Sequence, residues 1–172
     1  MAQRITQPRL ESYLWGAAIL LRGTIDAGDY KQFIFPLLFY KRLCDVFDEE
    51  TETARAEAMH RRALEVDKAL GAKERMAGSY VNLGLVYQVR GDLAQAEGLY
   101  RKALELYKTV GDKKGTASSY ANLAVLYGER GDLTQAEAMY RQALTLFQEI
   151  GATSFLEKVR AALDMLRVQG AP

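Results

Sequence analysis

Residues 56–95 read AEAMHRRALEVDKALGAKERMAGSYVNLGLVYQVRGDLAQ, and residues 96–135 read AEGLYRKALELYKTVGDKKGTASSYANLAVLYGERGDLTQ. Half of the positions aligned between these two copies are identical. A third copy begins at Ala136 as AEAMYRQALTLFQEIG and then diverges. A fixed period of this length is typical of stacked helical units, each of which buries its apolar face against its neighbour.

Each copy contains two helical patterns separated by a glycine–aspartate pair. In the first pattern, Tyr80, Leu83 and Tyr87 lie three or four residues apart, which places them on one face of a helix. Gly91 can adopt the left-handed conformation that ends a helix, and Asp92 can cap the next one. The second pattern alternates small residues, which let a neighbouring backbone approach, with tyrosines that fill the gaps. We therefore predict a helical hairpin in each copy.

The composition fits a helical, soluble protein. The chain has 172 residues, 49% of them hydrophobic and 26% charged, with only three prolines. One cysteine excludes a disulfide framework, and one histidine leaves little for a zinc site. The net charge of +1 gives no general reason to expect a nucleic-acid partner.

Residues 33–40 are the longest apolar run, too short to cross a bilayer, and residues 13–21 are not followed by a signal-peptidase site. We expect a cytoplasmic protein with no membrane partner.

The repeat resembles the tetratricopeptide repeat (TPR). The residues that carry the resemblance are Tyr80-x-x-Leu83-Gly84-x-x-Tyr87 followed by Ala96-x-x-x-Tyr100. A tyrosine replaces the family's usual tryptophan, and the family's closing proline is absent. The long period is similar to that of the longer variant in kinesin light chains and related scaffolds. The resemblance covers about residues 54–168 and implies an all-α fold, a right-handed solenoid of helical hairpins over residues 54–172 with a capping helix at about 154–168.

Residues 1–53 show no such repeat and form a separate helical section. We predict one helix over about residues 8–22 and a second from near Asp26 or Asp29 to about Glu50, with Pro36 kinking it or lying near its start. Residues 9–50 resemble the N-terminal helical region of the modification (DNA methyltransferase) subunit of type I restriction enzymes. The motifs that carry this resemblance are Leu14-Trp15-Gly16-Ala17-Ala18, Leu21-Arg22-Gly23, Asp29-Tyr30-Lys31 and Phe35-Pro36-Leu37-Leu38-Phe39-Tyr40-Lys41-Arg42-Leu43.

In that family the N-terminal helices precede a catalytic domain that binds S-adenosylmethionine, and they assist contacts with DNA and with the specificity subunit. This chain has no consecutive prolines, which the amino-methyltransferase motif requires, and no strand–glycine-loop unit for the cofactor. The resemblance therefore implies common ancestry or a fusion, and not methyl transfer.

The two sections share a register. Tyr40, Leu43, Cys44 and Phe47 stand one repeat period before the apolar positions of the first hairpin helix. We predict that the end of the N-terminal section supplies the first helix of a first repeat and packs against the helix at 54–70; the alternative is chance agreement among apolar residues. Under this prediction, deletion of residues 1–50 costs much stability, and Phe47→Ala costs about 3–5 kcal/mol.

No residue is predicted to be catalytic or to bind a metal or cofactor. His60 aligns with Tyr100 and Tyr140, which assigns it to helix packing. Cys44 aligns with the small residues of the later copies and has no partner base in the sequence pattern. The carboxylates lie mostly on solvated helix faces.

The binding candidates recur at the repeat spacing. Asn82 and Asn122 occupy equivalent positions of the two copies, inside the first helix of each repeat, where asparagine is not a favoured choice. In the TPR family this face is the concave groove, and the resemblance implies that the asparagines contact the backbone of a bound peptide; the alternative is a hydrogen bond on the helix surface or between helices. The predicted groove residues are Asn82, Leu85, Gln88, Asn122, Val125 and Glu129.

Two functions from different classes follow. The first is a non-catalytic scaffold that binds a partner peptide or helix in the TPR groove. The second is an accessory or truncated fusion product of a type I restriction–modification subunit that contacts DNA or the specificity subunit through residues 9–50. A gene fragment without selected activity is the third alternative.

Overall fold

A computed structural model describes Gly16, Ile19 and residues 27–169. Every regular element in this part of the chain is a helix. The helices are α1 (Ala27–Ala69), α2 (Lys73–Val89), α3 (Leu93–Val110), α4 (Lys113–Glu129), α5 (Leu133–Glu149) and α6 (Thr153–Gln169). The predicted all-α fold is confirmed. The helix predicted over residues 8–22 lies almost wholly outside the described residues.

A glycine with positive φ stands at each connection between successive helices from α1 to α6. These residues recur at a regular interval, half of the repeat period: Gly71 (φ 65°), Gly91 (79°), Gly111 (76°), Gly131 (80°) and Gly151 (67°). A residue with a Cβ is strained in this left-handed region, so glycine ends each helix at low cost. Each repeat period therefore contains two glycine turns of similar conformation. As a result, the two helices of each hairpin have nearly equal lengths.

Aspartates begin three of the helices. The side chain of Asp92 accepts a hydrogen bond from the backbone N–H of Gln95 at 3.1 Å, and Asp112 does the same for the N–H of Gly115 at 2.9 Å. Asp132 repeats the arrangement with Gln135. Each bond satisfies one of the free N–H groups in the first turn, as predicted for the glycine–aspartate pairs.

The core of the repeat region consists of small residues packed against aromatic rings. Ala96, Ala103, Ala136 and Ala143 are fully buried, as are Tyr100 and, almost entirely, Phe147. A Cβ placed on Gly84 would lie 2.5 Å from a ring carbon of Tyr100, so the glycine makes room for that ring. At the end of the stack, α6 buries Val159, Leu163 and Leu166, while Phe155 is 40% exposed and stacks on Phe147 with ring centroids 5.2 Å apart.

The chain divides into two compact units, residues 1–54 and 55–172, and the division falls within α1. The helix predicted to end near Glu50 continues to Ala69, and Pro36 lies inside it, nine residues after Ala27. Residues 30–50 and 54–70 are therefore parts of one helix and cannot form a first hairpin with each other, so that prediction is wrong. Tyr40, Leu43 and Phe47 are 60%, 53% and 68% exposed rather than buried.

The error has a physical cause in the turn positions. Where the regular interval before Gly71 would place another helix-ending glycine, the chain has Thr51, and the capping aspartate is replaced by Glu52. Thr51 and Thr53 donate their hydroxyls to backbone carbonyls of the preceding turn, at 2.7 and 3.0 Å, within an unbroken helix. The apolar spacing of a repeat is present in α1, but the residue that turns the chain is absent.

Candidate functional site

The predicted groove residues lie on two helices that pack side by side. Asn82 on α2 is exposed and Asn122 on α4 is partly exposed, while Leu85 and Val125 expose 45% and 42% of their surface. Gln88 Nε2 donates to Glu129 Oε1 at 2.8 Å, which joins the C-terminal turns of α2 and α4. We call this surface the α2/α4 face, consisting of Asn82, Leu85, Gln88, Asn122, Val125 and Glu129.

A buried tyrosine orients the amide at this face. The Tyr100 hydroxyl, on α3, donates to Gln88 Oε1 at 2.7 Å. Burial, with a smaller contribution from the charge of Glu129, raises the pKa of Tyr100 to about 12. The phenol therefore stays protonated and donates at any ordinary pH, and the Gln88 amide nitrogen is left to face Glu129.

The sequence did not identify Tyr100 as part of this arrangement. Its spacing assigned it to the core, and its ring is indeed fully buried. The direction of its hydroxyl depends on how α3 packs against α2, which no pattern along the chain specifies. Gln88 and Glu129 were identified individually, but the residue that aligns with Gln88 in the next copy is Gly128 and not Glu129, so the pair was not identified.

The two asparagines present available amide groups. Among the contacts of the described residues, neither Asn82 nor Asn122 makes an intramolecular side-chain hydrogen bond. Each carboxamide offers two donors and one acceptor, the complement of an extended backbone. The alternative for them, a hydrogen bond on the helix surface or between helices, is not observed in the described part of the chain.

A second polar arrangement occurs twice with the same geometry. Glu57 on α1 accepts from the Tyr87 hydroxyl of α2 at 2.7 Å and from Arg61 at 2.8 Å, and it also pairs with Arg90. The Tyr87 hydroxyl in turn accepts from Arg61 at 2.6 Å. In the next copy the corresponding groups repeat these contacts between α3 and α4: Glu97, Arg101, Tyr127 and Arg130. We call each set a Glu–Tyr–Arg clasp.

The clasps keep their carboxylates ionised. The hydrogen bond from Tyr87, followed by those from Arg90 and Arg61, lowers the pKa of Glu57 to about 2 despite partial burial. For Glu97, burial acts to raise the pKa, but the bonds from Tyr127, Arg101 and Arg130 outweigh it and the pKa is lowered. Since every group has partners, each clasp ties two consecutive helices together, α1 to α2 or α3 to α4, and none of its groups is a free acid or base.

The remaining residues singled out in the sequence are His60 and Cys44. His60 and Cys44 are both partly buried. Within Gly16, Ile19 and residues 27–169, no three His, Cys, Asp or Glu side chains are grouped to hold a metal ion. None of the described helices has the length and apolar character that crossing a membrane requires.

Comparison with known proteins matches both parts of the sequence. A family model described as the tetratricopeptide repeat matches residues 75–149, and one described as the HsdM N-terminal domain matches residues 10–98. Both resemblances inferred from the sequence are confirmed. The second match extends beyond residue 50 and overlaps the repeats over residues 75–98.

A solved structure shares the fold. The crystal structure of BtubC (BKLC) from P. vanneervenii is similar with a TM-score of 0.51 and 20% sequence identity, and the alignment covers 95% of this chain and 74% of that chain. At this identity the similarity supports the solenoid fold alone. No curated protein matches the sequence.

Proposed function

We propose that this chain, which belongs to the family of HsdM N-terminal domains and carries tetratricopeptide repeats, is a non-catalytic scaffold that binds a segment of a protein partner along the α2/α4 face. TPR repeats are a protein-interaction fold, which supports the general class. The observation that carries the specific site is the recurrence of Asn82 and Asn122 at the repeat spacing, with neither side-chain amide hydrogen-bonded within the described residues.

The face has the properties that an extended segment requires. The carboxamides of Asn82 and Asn122 can bond its N–H and C=O groups without intervening water. One turn further along the same helices, Leu85 and Val125 offer apolar surface, each about half exposed. Contact there contributes about 25 cal/mol for each Å² of apolar surface removed from water. Only a few residues of a partner fit along two helices, so ordering costs offset much of this gain and the affinity is modest.

The test begins with the full chain as bait and identifies what it captures. The captured protein is then purified, and its affinity is measured by calorimetry for the wild type and for Asn82→Ala/Asn122→Ala. We expect a loss of about 1–3 kcal/mol, roughly 5- to 150-fold in Kd, with an unchanged melting temperature. Gln142→Ala/Gln148→Ala, which removes two exposed amides from α5, is the matched control and leaves the affinity unchanged. Equal affinity for wild type and the asparagine variant, or unfolding of that variant, refutes the proposal.

A second function is favoured by the HsdM N-terminal match over residues 10–98. Residues 9–50 would then contact DNA or a specificity subunit. The charge of α1 favours contact with a specificity subunit over contact with DNA. Lys41 is paired with Asp45 at 3.0 Å, and the residues that follow include the acidic Asp48, Glu49 and Glu50. We expect duplex DNA to bind no more tightly than about 10⁻⁴–10⁻⁶ M at physiological salt. Tight, sequence-selective binding in a mobility-shift titration would make this the leading function.

A further inference from the structure

We propose that the α2/α4 face selects a segment that has apolar side chains and a lysine or arginine, and that Glu129 holds the cation. This inference rests on the proposed function, because it specifies the partner chemistry of the same surface. It is carried by three observations: an uncompensated carboxylate, the network that fixes it, and a row of exposed apolar residues.

The residues of the α2/α4 face carry one negative charge in total. Glu129 is its only ionisable residue and is exposed. Its one hydrogen bond within the described chain comes from the neutral amide of Gln88, and no described basic side chain forms an ion pair with it. The arginines that follow α2 and α4 are occupied, since Arg90 pairs with Glu57 and Arg130 pairs with Glu97. A bound segment therefore meets a carboxylate that has no ion-pair partner among the residues that the structure describes.

This carboxylate is held in place before a ligand arrives. Tyr100, fully buried, fixes Gln88, and Gln88 fixes Oε1 of Glu129. An exposed glutamate ordinarily loses rotamer freedom when it pairs with a cation, and that loss cancels much of the attraction. Glu129 has already lost this rotamer freedom on folding, so more of its attraction to a cation contributes to binding.

The apolar row extends beyond α4. Leu85, Val125 and Met165 recur at the repeat spacing on α2, α4 and α6, and they are 45%, 42% and 63% exposed. α6 lies beside α4 at this level, since a Cβ on Gly128 would be 3.5 Å from Cδ1 of Leu166. Three exposed apolar side chains in equivalent positions favour apolar side chains in the ligand. An acidic segment is disfavoured because it would place like charges at Glu129, which has no described basic side chain paired with it.

The experiment uses the full chain to select from a displayed library of random dodecapeptides. Peptides are kept only when their binding is weakened by Asn82→Ala/Asn122→Ala. We expect the kept peptides to be enriched in apolar residues and in lysine or arginine. For a selected peptide measured by fluorescence anisotropy, replacing its basic residue with glutamine should weaken binding about three- to fivefold, and glutamate should weaken it further.

The variants assign the effect to individual groups. Glu129→Gln should bind the basic peptide and its glutamine version equally, whereas Met165→Ser should weaken both. Glu105→Gln, an exposed carboxylate on α3, is the matched control and keeps the preference for the basic peptide. Raising the salt concentration should reduce this preference in the wild type and change nothing in Glu129→Gln.

The outcomes separate the two levels of the proposal. If the kept peptides are acidic or lack a basic residue, or if Glu129→Gln retains the preference, this inference is overturned while the proposed function stands. If no peptide depends on Asn82 and Asn122, both are overturned.

Discussion

The same substitution, glycine to alanine, is expected to have opposite effects at two helical positions of the repeat region. Gly84 on α2 faces Tyr100, and an added Cβ would lie 2.5 and 2.7 Å from two carbons of that ring. Gly98 on α3 is exposed, and an added Cβ would meet nothing within 4 Å. Because backbone conformation and residue type are shared, the comparison isolates packing from helix propensity.

The magnitudes follow from these contacts. Alanine gains about 0.5–1 kcal/mol over glycine inside a helix, so Gly98→Ala should stabilise the protein by that amount. At Gly84 the overpacking cost of about 1–3 kcal/mol opposes the same gain. Alanine already holds the equivalent position 124, and Tyr140, the counterpart of Tyr100, is 6% exposed where Tyr100 is fully buried, so we expect a small ring displacement to relieve the clash. We therefore expect a net loss of about 1 kcal/mol for Gly84→Ala.

Urea denaturation followed by circular dichroism at 222 nm measures both variants against the wild type. The difference between them should be about 2 kcal/mol, or roughly 4–8 °C in melting temperature for a chain of this size. The Tyr100–Gln88 bond provides a second readout, because a displaced ring should also alter peptide binding at the α2/α4 face. If Gly84→Ala is as stable as Gly98→Ala, the close packing of Tyr100 against α2 is wrong.

Two further predictions concern burial and pH. Phe47→Ala should change the free energy of unfolding by less than about 0.5 kcal/mol because Phe47 is 68% exposed. Phe147→Ala should cost about 3–5 kcal/mol because Phe147 is only 1% exposed. A large loss for Phe47→Ala in the same denaturation assay would restore the shared-register hypothesis. Since the pKa of Glu57 is lowered to about 2 from about 4.3 in an unfolded chain, its carboxylate adds stability above about pH 4.3 that is lost as the pH falls toward 2. The melting temperature of Glu57→Gln should accordingly fall less than that of the wild type between pH 5 and pH 3. The control Glu65→Gln should fall as much as the wild type. Equal falls for Glu57→Gln and the wild type would contradict the clasp.

The repeat region could be predicted well from the sequence because its information is local. Gly91 and Asp92 specify a helix end and a helix start within two residues, and the positive φ of 79° and the Gln95 cap confirm both. The alternation of small and large residues likewise predicts which side chains become buried. Such rules require only spacing along one helix, and identity between copies supplies an internal check.

The site could be predicted only in part, because hydrogen-bond partners depend on the rotation of one helix against another. Asn82 and Asn122 stand out by recurrence alone. The network of Tyr100, Gln88 and Glu129 joins three helices and breaks the repeat period, so no comparison between copies reveals it. The clasps were equally missed, although Glu57 and Arg61 recur as Glu97 and Arg101 and form i,i+4 pairs on their own helices.

The shared register of residues 40–47 shows which part of a repeat pattern determines the chain path. Apolar spacing specifies that a helix has an apolar face, and α1 satisfies this with Tyr40, Leu43 and Phe47. It does not specify where the helix ends, and that depends on a residue able to adopt positive φ. Every connection described after α1 has a glycine for this purpose, while position 51 has threonine, whose branched Cβ disfavours the left-handed region. A helix that meets no such residue continues, and its apolar face then extends past the point where a hairpin partner would have covered it.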